Sequence, residues 1–128
     1  MNLTYFCPRC FAVIGADEQR CPQCGADLAE EQARPYGERL IQALGHPLAE
    51  VRMAAITALG LRAEPAAAAA LAACALAAPV DVVQGLAVIE SLRRLPAGDE
   101  RRAALTRLTK HPAHAVAFAA ARELNDAG

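Results

Sequence analysis

Four cysteines near the N-terminus are the residues whose type and spacing could perform chemistry together. They form two Cys-x-x-Cys pairs, Cys7-Pro-Arg-Cys10 and Cys21-Pro-Gln-Cys24, which are separated by ten residues. A Cys-x-x-Cys turn directs two sulfur atoms at one point, so two such turns can supply four thiolates to one tetrahedral metal ion. We therefore predict one structural zinc ion bound by Cys7, Cys10, Cys21 and Cys24.

The residues around the cysteines fit a small module that a metal ion holds together. Residues 11–14 are expected to form a strand and residues 15–17 a turn, and Gly25 lets the backbone turn after the last cysteine. A module of about thirty residues has almost no core, so metal binding must supply most of its folding free energy. Two other roles for these cysteines are disfavoured. A redox Cys-x-x-Cys pair needs a surrounding βαβ fold, which the helical pattern of the rest of the chain excludes. A catalytic zinc ion needs an open coordination position, and four thiolates leave none.

Residues 5–28 resemble the short zinc ribbons found at the N-termini of many bacterial proteins. The resemblance rests on the two Cys-Pro-x-Cys pairs and on Gly25. The sequence departs from that family at Phe11, where glycine is frequent, and we expect the phenyl ring to pack on the metal-binding turn. Rubredoxin-type iron sites use the same Cys-x-x-Cys pairs, but the spacer between the pairs is longer there, so zinc is favoured over iron. The resemblance implies a β-hairpin module with one structural Zn²⁺.

The rest of the chain has the apolar spacing of α-helices. Because the composition changes near Glu30, we place the zinc module at residues 1–28, a linker at 29–35 and a helical domain at 36–128. Proline and glycine interrupt the helical pattern at regular places. The pattern predicts six helices, at residues 35–45, 48–61, 65–77, 80–94, 99–110 and 113–125.

These helices form a repeat. Pro47, Pro79 and Pro112 are spaced by 32 and then 33 residues, with valine at the fourth position after each and alanine at the eighth. Residues four apart share one face of a helix, so the pattern predicts stacked helical hairpins. The predicted inward residues are Val51, Val83, Val116, Ala55, Ala87 and Ala120. An aspartate introduced at the second of these valines is therefore expected to be strongly destabilising.

The segment from His46 to Gly60 resembles the second helix of a HEAT repeat, in particular the short bacterial kind related to phycobilisome-lyase repeats. The resemblance covers residues 36–126, and the family's Val-Arg pair is present as Val51-Arg52. Gln84 and Ala117 stand at the arginine position of the later repeats. The resemblance implies a mainly α fold, an α-solenoid of about three hairpins, without implying lyase chemistry.

Single polar residues in the helical part have structural interpretations. Cys74 lies in an Ala-rich helix and is expected to be a buried small apolar residue. His46 and His111 each precede a proline between helices and are expected to serve as loop or capping residues. Ser91 is the only serine, and no Gly-rich phosphate loop or acid pair is present. We therefore expect no enzymatic activity.

Charge and hydropathy bear on the partner and the compartment. The net charge is -1, and residues 1–31 carry two arginines against five acidic residues, which is the wrong sign for a phosphate backbone. We expect no membrane partner, because the most apolar stretch is mostly alanine and is interrupted by Pro79. No signal peptide is recognisable, and paired cysteines bind metal in the cytoplasm, where we place the protein. The excess of arginine over lysine favours a bacterial source.

We predict a scaffold or adaptor whose stacked second helices bind another protein. Phe118 has no later hairpin to cover it, so it either borders an apolar patch, which would permit self-association through the C-terminal helix, or packs on the fifth helix. Two alternatives stay open: a nucleic-acid-associated regulatory protein, and a sensor whose thiolates release zinc on oxidation. The predicted partner residues are Arg52, Gln84, Arg122 and Phe118, with Glu50, Asp81 and His114 near the helix starts.

Overall fold

Residues 4–126 are described by a computed structural model. Two short strands, β1 (Tyr5–Phe6) and β2 (Val13–Ile14), pair antiparallel, with Tyr5 opposite Ile14. The predicted strand at 11–14 is thus present as its second half, and its partner is the segment before the first cysteine. The helices are α1 (Leu28–Gln32), α2 (Tyr36–Ala43), α3 (Ala49–Arg62), α4 (Ala68–Ala77), α5 (Val82–Arg94), α6 (Asp99–Leu108) and α7 (His114–Asp126).

The prediction of a mainly α solenoid with an N-terminal hairpin module is confirmed. Helices α2 and α3, α4 and α5, and α6 and α7 pack as three hairpins, and α3, α5 and α7 stack side by side. The six predicted helices all form, and one 3-10 turn at Pro65–Ala67 replaces the start of the third. The short helix α1 crosses the predicted boundary between module and linker, and the side chain of Asp27 caps its N-terminus.

The Ala-rich helix α4 contributes one face to the hydrophobic core, with Ala68, Leu71, Ala72, Cys74 and Ala75 buried. Small side chains let neighbouring helices approach closely, so α4 packs on both α5 and α6. The larger core side chains fill the space between the layers. The fully buried ones include Ile56, Leu59, Leu71, Leu92, Leu105 and Leu108. In the part of the chain that the structure describes, no helix is long and apolar enough to cross a membrane.

The predicted register of the second repeat is wrong by one residue. Val83 was expected to point inward, but it is 69% exposed, whereas Gln84 and Val88 are buried. Helix α5 begins three residues after Pro79, whereas α3 and α7 begin two residues after their prolines. The side chain of Asp81 accepts a hydrogen bond of 2.9 Å from the N–H of Gln84, which fixes the later helix start.

Two glycines inside helices allow the stacked helices to touch. A Cβ atom at Gly60 of α3 would lie 2.9 Å from the Cα of Ser91 in α5, and one at Gly85 would lie 2.5 Å from a methyl carbon of Val116 in α7. The hydroxyl of Ser91 donates a hydrogen bond of 2.6 Å to the carbonyl of Ile56, which holds the two helices at this separation. The close approach of the stacked helices is possible because glycine has no Cβ atom at these two positions.

Replacing Gly60 by alanine is expected to destabilise the protein by about 1–3 kcal/mol, because backbone atoms of Ser91 must move aside. This cost exceeds the gain of about 1 kcal/mol in helix propensity. Thermal melting followed by circular dichroism measures the difference. Gly98→Ala is the matched control, since a Cβ there meets nothing within 4 Å. Equal melting temperatures for the two variants would contradict the close contact of α3 and α5.

Candidate metal centre and partner surface

The two cysteine turns have the same backbone geometry. In the first, the N–H of Phe11 donates to the carbonyl of Cys7 at 2.8 Å; in the second, the N–H of Gly25 donates to the carbonyl of Cys21 at 2.9 Å. Phe11 and Gly25 both have a left-handed backbone, with φ of 64° and 76°. The residue after each Cys-x-x-Cys pair therefore has the same role, although only one of the two is glycine.

These turns bring the four predicted ligands together. The sulfur atoms of Cys7, Cys10, Cys21 and Cys24 all lie within 4.8 Å of one another. The Cys7–Cys24 and Cys10–Cys21 sulfur distances are 3.7 and 3.5 Å, and all four thiols are free. A tetrahedral site with metal–sulfur bonds of about 2.3 Å has sulfur–sulfur edges of about 3.8 Å. The spacing therefore fits a single tetrahedral metal ion, whereas a disulfide needs about 2.05 Å.

The pKa values of the clustered thiols indicate that a bound cation would stabilise them as thiolates. The backbone N–H of Cys24 is the largest cause that lowers the pKa of the Cys21 thiol to about 7. The N–H of Ala12 also lowers the pKa of Cys10, but desolvation by the neighbouring atoms and hydrogen bonds with the other three thiols outweigh it and raise that pKa to about 12. Without a cation, ionisation of one thiol thus disfavours ionisation of the next. The positive charge of a bound metal ion would offset the repulsion between the thiolates, which are the form of cysteine that binds metal.

The environment of the four sulfurs differs between the first and second member of each pair. Cys7 and Cys21 are buried, and they form a small apolar cluster with Ala26 and Leu28. Cys10 and Cys24 are exposed. Each buried sulfur also accepts a backbone N–H at 3.4 Å, from Arg9 and Gln23 respectively.

The cysteine module rests on the loop between α2 and α3. The rings of Phe6 and Phe11 lie 4.7 and 5.5 Å from the imidazole of His46, both edge-to-face. A Cβ at Gly45 would lie 3.1 Å from the Phe11 ring. The Phe11 ring thus packs on this loop, a contact between residues distant in sequence that the cysteine pattern did not predict. Burial is the main cause that lowers the pKa of His46.

The loop roles predicted for two histidines are confirmed. The Nδ1 atom of His46 accepts the N–H of Leu48 at 3.0 Å, and that of His111 accepts the N–H of Ala113 at 3.0 Å. The Nε2 atom of His111 lies 3.1 Å from the carbonyl of Ala75. Each ring therefore satisfies a backbone N–H at the start of the following helix.

Arg52 lies inside a hydrogen-bond network that joins the first two repeats. Its guanidinium donates to the carbonyls of His46 at 2.8 Å and Pro47 at 3.0 Å, and to the side-chain oxygen of Gln84 at 2.9 Å. The amide nitrogen of Gln84 donates in turn to the carbonyl of Cys74 at 3.1 Å. Cys74 is itself buried, and burial raises its pKa.

Gln84 is therefore not available to a partner. Its side chain is only 1% exposed, and both ends of its amide are occupied within the protein. The alignment of the prolines predicted that Gln84 lines the groove. This prediction is wrong, because α5 begins one residue later than expected and Gln84 points into the protein. Arg52 also makes internal contacts, and the carboxylate of Asp81 caps α5.

The other predicted partner residues lie on the second helices of the first and third hairpins. Glu50, His114 and Arg122 are exposed. Phe118 is 56% exposed, and its ring lies 6.1 Å from that of His114. Of the two positions considered for Phe118, the exposed one is therefore observed.

Apolar side chains recur at one position of the stacked helices α3, α5 and α7. The fifth residues of α3, α5 and α7 are Met53, Leu86 and Phe118, of which the first is partly buried and the other two are exposed. Val82 and Val83 extend this set along α5 and are also exposed. We refer to these five residues as the apolar strip. Sequence analysis missed the strip, because the shifted register placed Val83 in the core.

Comparison with known proteins gives one match. The family described as HEAT repeats matches residues 26–93, just over half of the 128 residues. The match spans α1 to α5 and includes Arg52 and Gln84. No curated protein and no solved structure matches the chain significantly.

Proposed function

Because the chain belongs to the HEAT-repeat family, we propose that it is a non-catalytic scaffold or adaptor that binds another protein and carries one structural zinc ion. The observation that carries the proposal is the apolar strip. Its apolar side chains recur at the same position of three stacked helices, and those on α5 and α7 are exposed, which distinguishes them from apolar residues scattered singly over a surface. Stacked hairpins present such recurring side chains to an extended partner.

The zinc ion accounts for the four thiols. A set of four sulfur ligands at tetrahedral spacing is typical of structural zinc. Cys7, Cys10, Cys21 and Cys24 would hold the ion, which would neutralise their charge and fix both turns. Since no coordination position remains open, the ion would have a structural role and not a catalytic one. We place this protein in the cytoplasm, where such thiols stay reduced.

Replacing Leu86 and Phe118 together by serine is expected to abolish partner capture while lowering the melting temperature by only a few degrees. Leu86 is 40% and Phe118 56% exposed, and neither belongs to the fully buried core, so their loss removes mainly surface. The measurement is affinity capture from a lysate of the source organism, followed by identification of the retained proteins. Leu61→Ser is the matched control, since Leu61 is 68% exposed on α3 but lies outside the strip.

The proposal fails if the double variant and the control retain the same proteins. Sedimentation of the same samples separates the two kinds of occupant. A lower mass for the double variant than for Leu61→Ser would indicate that the strip joins two copies of the chain. A monomer that still captures a different protein would indicate a heterologous partner.

A redox sensor is the second candidate, and the exposure of Cys10 and Cys24 favours it. Two zinc-bound thiolates can be oxidised by a peroxide to one disulfide, with the peroxide reduced to water and the metal ion released. Zinc release on mild peroxide treatment, followed with a chromogenic chelator, tests this function. A gel shift with mixed DNA and RNA tests the nucleic-acid alternative, for which the acidic module offers no support.

A further inference from the structure

Phe11 occupies a strained backbone position in the metal-binding turn. Its φ of 64° is close to the 76° of Gly25 at the equivalent place in the second turn. A left-handed backbone is unfavourable for a residue with a Cβ atom, because that atom crowds the following carbonyl oxygen. Such strain persists only where the surroundings fix it. Here the surroundings are the turn on one side of Phe11 and the loop of Gly45 and His46 on the other.

That loop is held from its far side by the second repeat. The guanidinium of Arg52 binds the carbonyls of His46 and Pro47, and its Nε atom donates to Gln84 of α5. The contacts therefore run without interruption from the residue after Cys10 to the helix of the next hairpin. Rigid contacts of this kind can transmit a change at one end to the other.

We propose that Phe11 couples metal binding by the four cysteines to the conformation of the loop between α2 and α3; this inference rests on the proposed zinc site. With the metal bound, the turn holds the phenyl ring against His46. Without the metal, the turn no longer fixes Phe11 in the left-handed region, so its backbone relaxes and the phenyl ring loses its contact with His46. The loop and the first turn of α3 then open more often. By linkage, the ordered loop also strengthens metal binding.

Hydrogen–deuterium exchange of the full chain tests this coupling. The zinc-loaded protein is compared with protein stripped by a chelator under reducing conditions, and metal content is measured on both samples. Exchange at Leu48, Val51 and Arg52 is expected to be on the order of tenfold faster without metal. Exchange in α6 and α7 is expected to change much less, because these helices form the third hairpin, whereas the loop belongs to the first.

Phe11→Gly is the decisive variant. Glycine adopts the left-handed backbone without strain, so the turn and its metal are retained while the contact with His46 is lost. The loop is then expected to exchange fast both with and without metal. Val13→Ala, at a position that is 67% exposed, is the control and is expected to behave as the unmodified protein.

Three results would overturn the inference, and they differ in what else they exclude. If the unmodified protein binds one zinc ion but its loop exchange ignores the metal, the coupling is absent and the zinc site stands. If the metal effect persists in Phe11→Gly, the two parts communicate through another contact. If no metal is bound at all, the zinc site and the coupling both fail.

Discussion

Replacing Val88 by aspartate is expected to lower the melting temperature by on the order of 15 °C or more, whereas the same replacement at Val83 is expected to leave it almost unchanged. Val88 is 0% exposed and Val83 is 69% exposed. Burying a carboxylate without a partner costs about 3–5 kcal/mol, and each kcal/mol shifts the melting temperature of a domain of this size by several degrees.

At Val83 the same carboxylate stays in water. It also lies in the first turn of α5, where a negative charge interacts favourably with the helix dipole. The two variants share helix, residue type and charge change, so the comparison isolates burial. Circular dichroism melts of both proteins measure the effect. A larger loss of stability for Val83→Asp than for Val88→Asp would restore the register inferred from the prolines and refute the observed one.

This pair of residues shows where sequence reasoning about the fold reached its limit. The prolines and the helical spacing predicted the number, order and approximate bounds of the helices in the three hairpins, because these features depend on local propensity. The register within α5 depends on one additional residue between Pro79 and the helix start. The capping contact of Asp81 decides that start, and several starts near a proline are compatible with the same spacing.

The candidate metal site was predictable because its geometry is local. Two Cys-x-x-Cys turns define a ligand set wherever they occur, provided that the chain brings them together. The contacts around the site were less accessible, since Phe11 packs on His46, 35 residues away in the sequence. Gln84 is a further example. Its spacing marked it as an arginine-like surface residue, but Arg52 and the carbonyl of Cys74 provide partners that make its burial favourable.

The buried Gln84 also connects the corrected register to the role of Arg52. At the third position of α5 it takes the place that Val116 occupies in α7. An apolar residue there would leave the Nε of Arg52 without its acceptor, at a cost comparable to a lost buried hydrogen bond. The buried amide of Gln84 in the second repeat therefore orients Arg52, which in turn binds the loop between α2 and α3 of the first repeat. The metal module rests on the same loop.

Removing one ligand of the cluster is expected to have the largest effect of all on metal content. Cys21→Ser should reduce bound zinc from about one ion per chain to nearly none, because serine does not replace a thiolate and the remaining three sulfurs leave the site open. The module of residues 5–28 should unfold as a result. Its few buried residues form a cluster separate from the core of the hairpins, so most of the helical circular dichroism signal should remain.

Elemental analysis, X-ray absorption and circular dichroism of the same samples test this outcome. The unmodified protein is expected to show four sulfur ligands at about 2.3 Å from zinc. Cys74→Ala is the matched control: it removes a buried thiol outside the cluster and should retain the metal. A nitrogen ligand in the absorption spectrum, or retention of zinc by Cys21→Ser, would exclude the four-cysteine site. Loss of the whole helical signal together with the metal would show instead that module and hairpins unfold as one cooperative unit, with the contact of Phe11 on His46 as the connection between them.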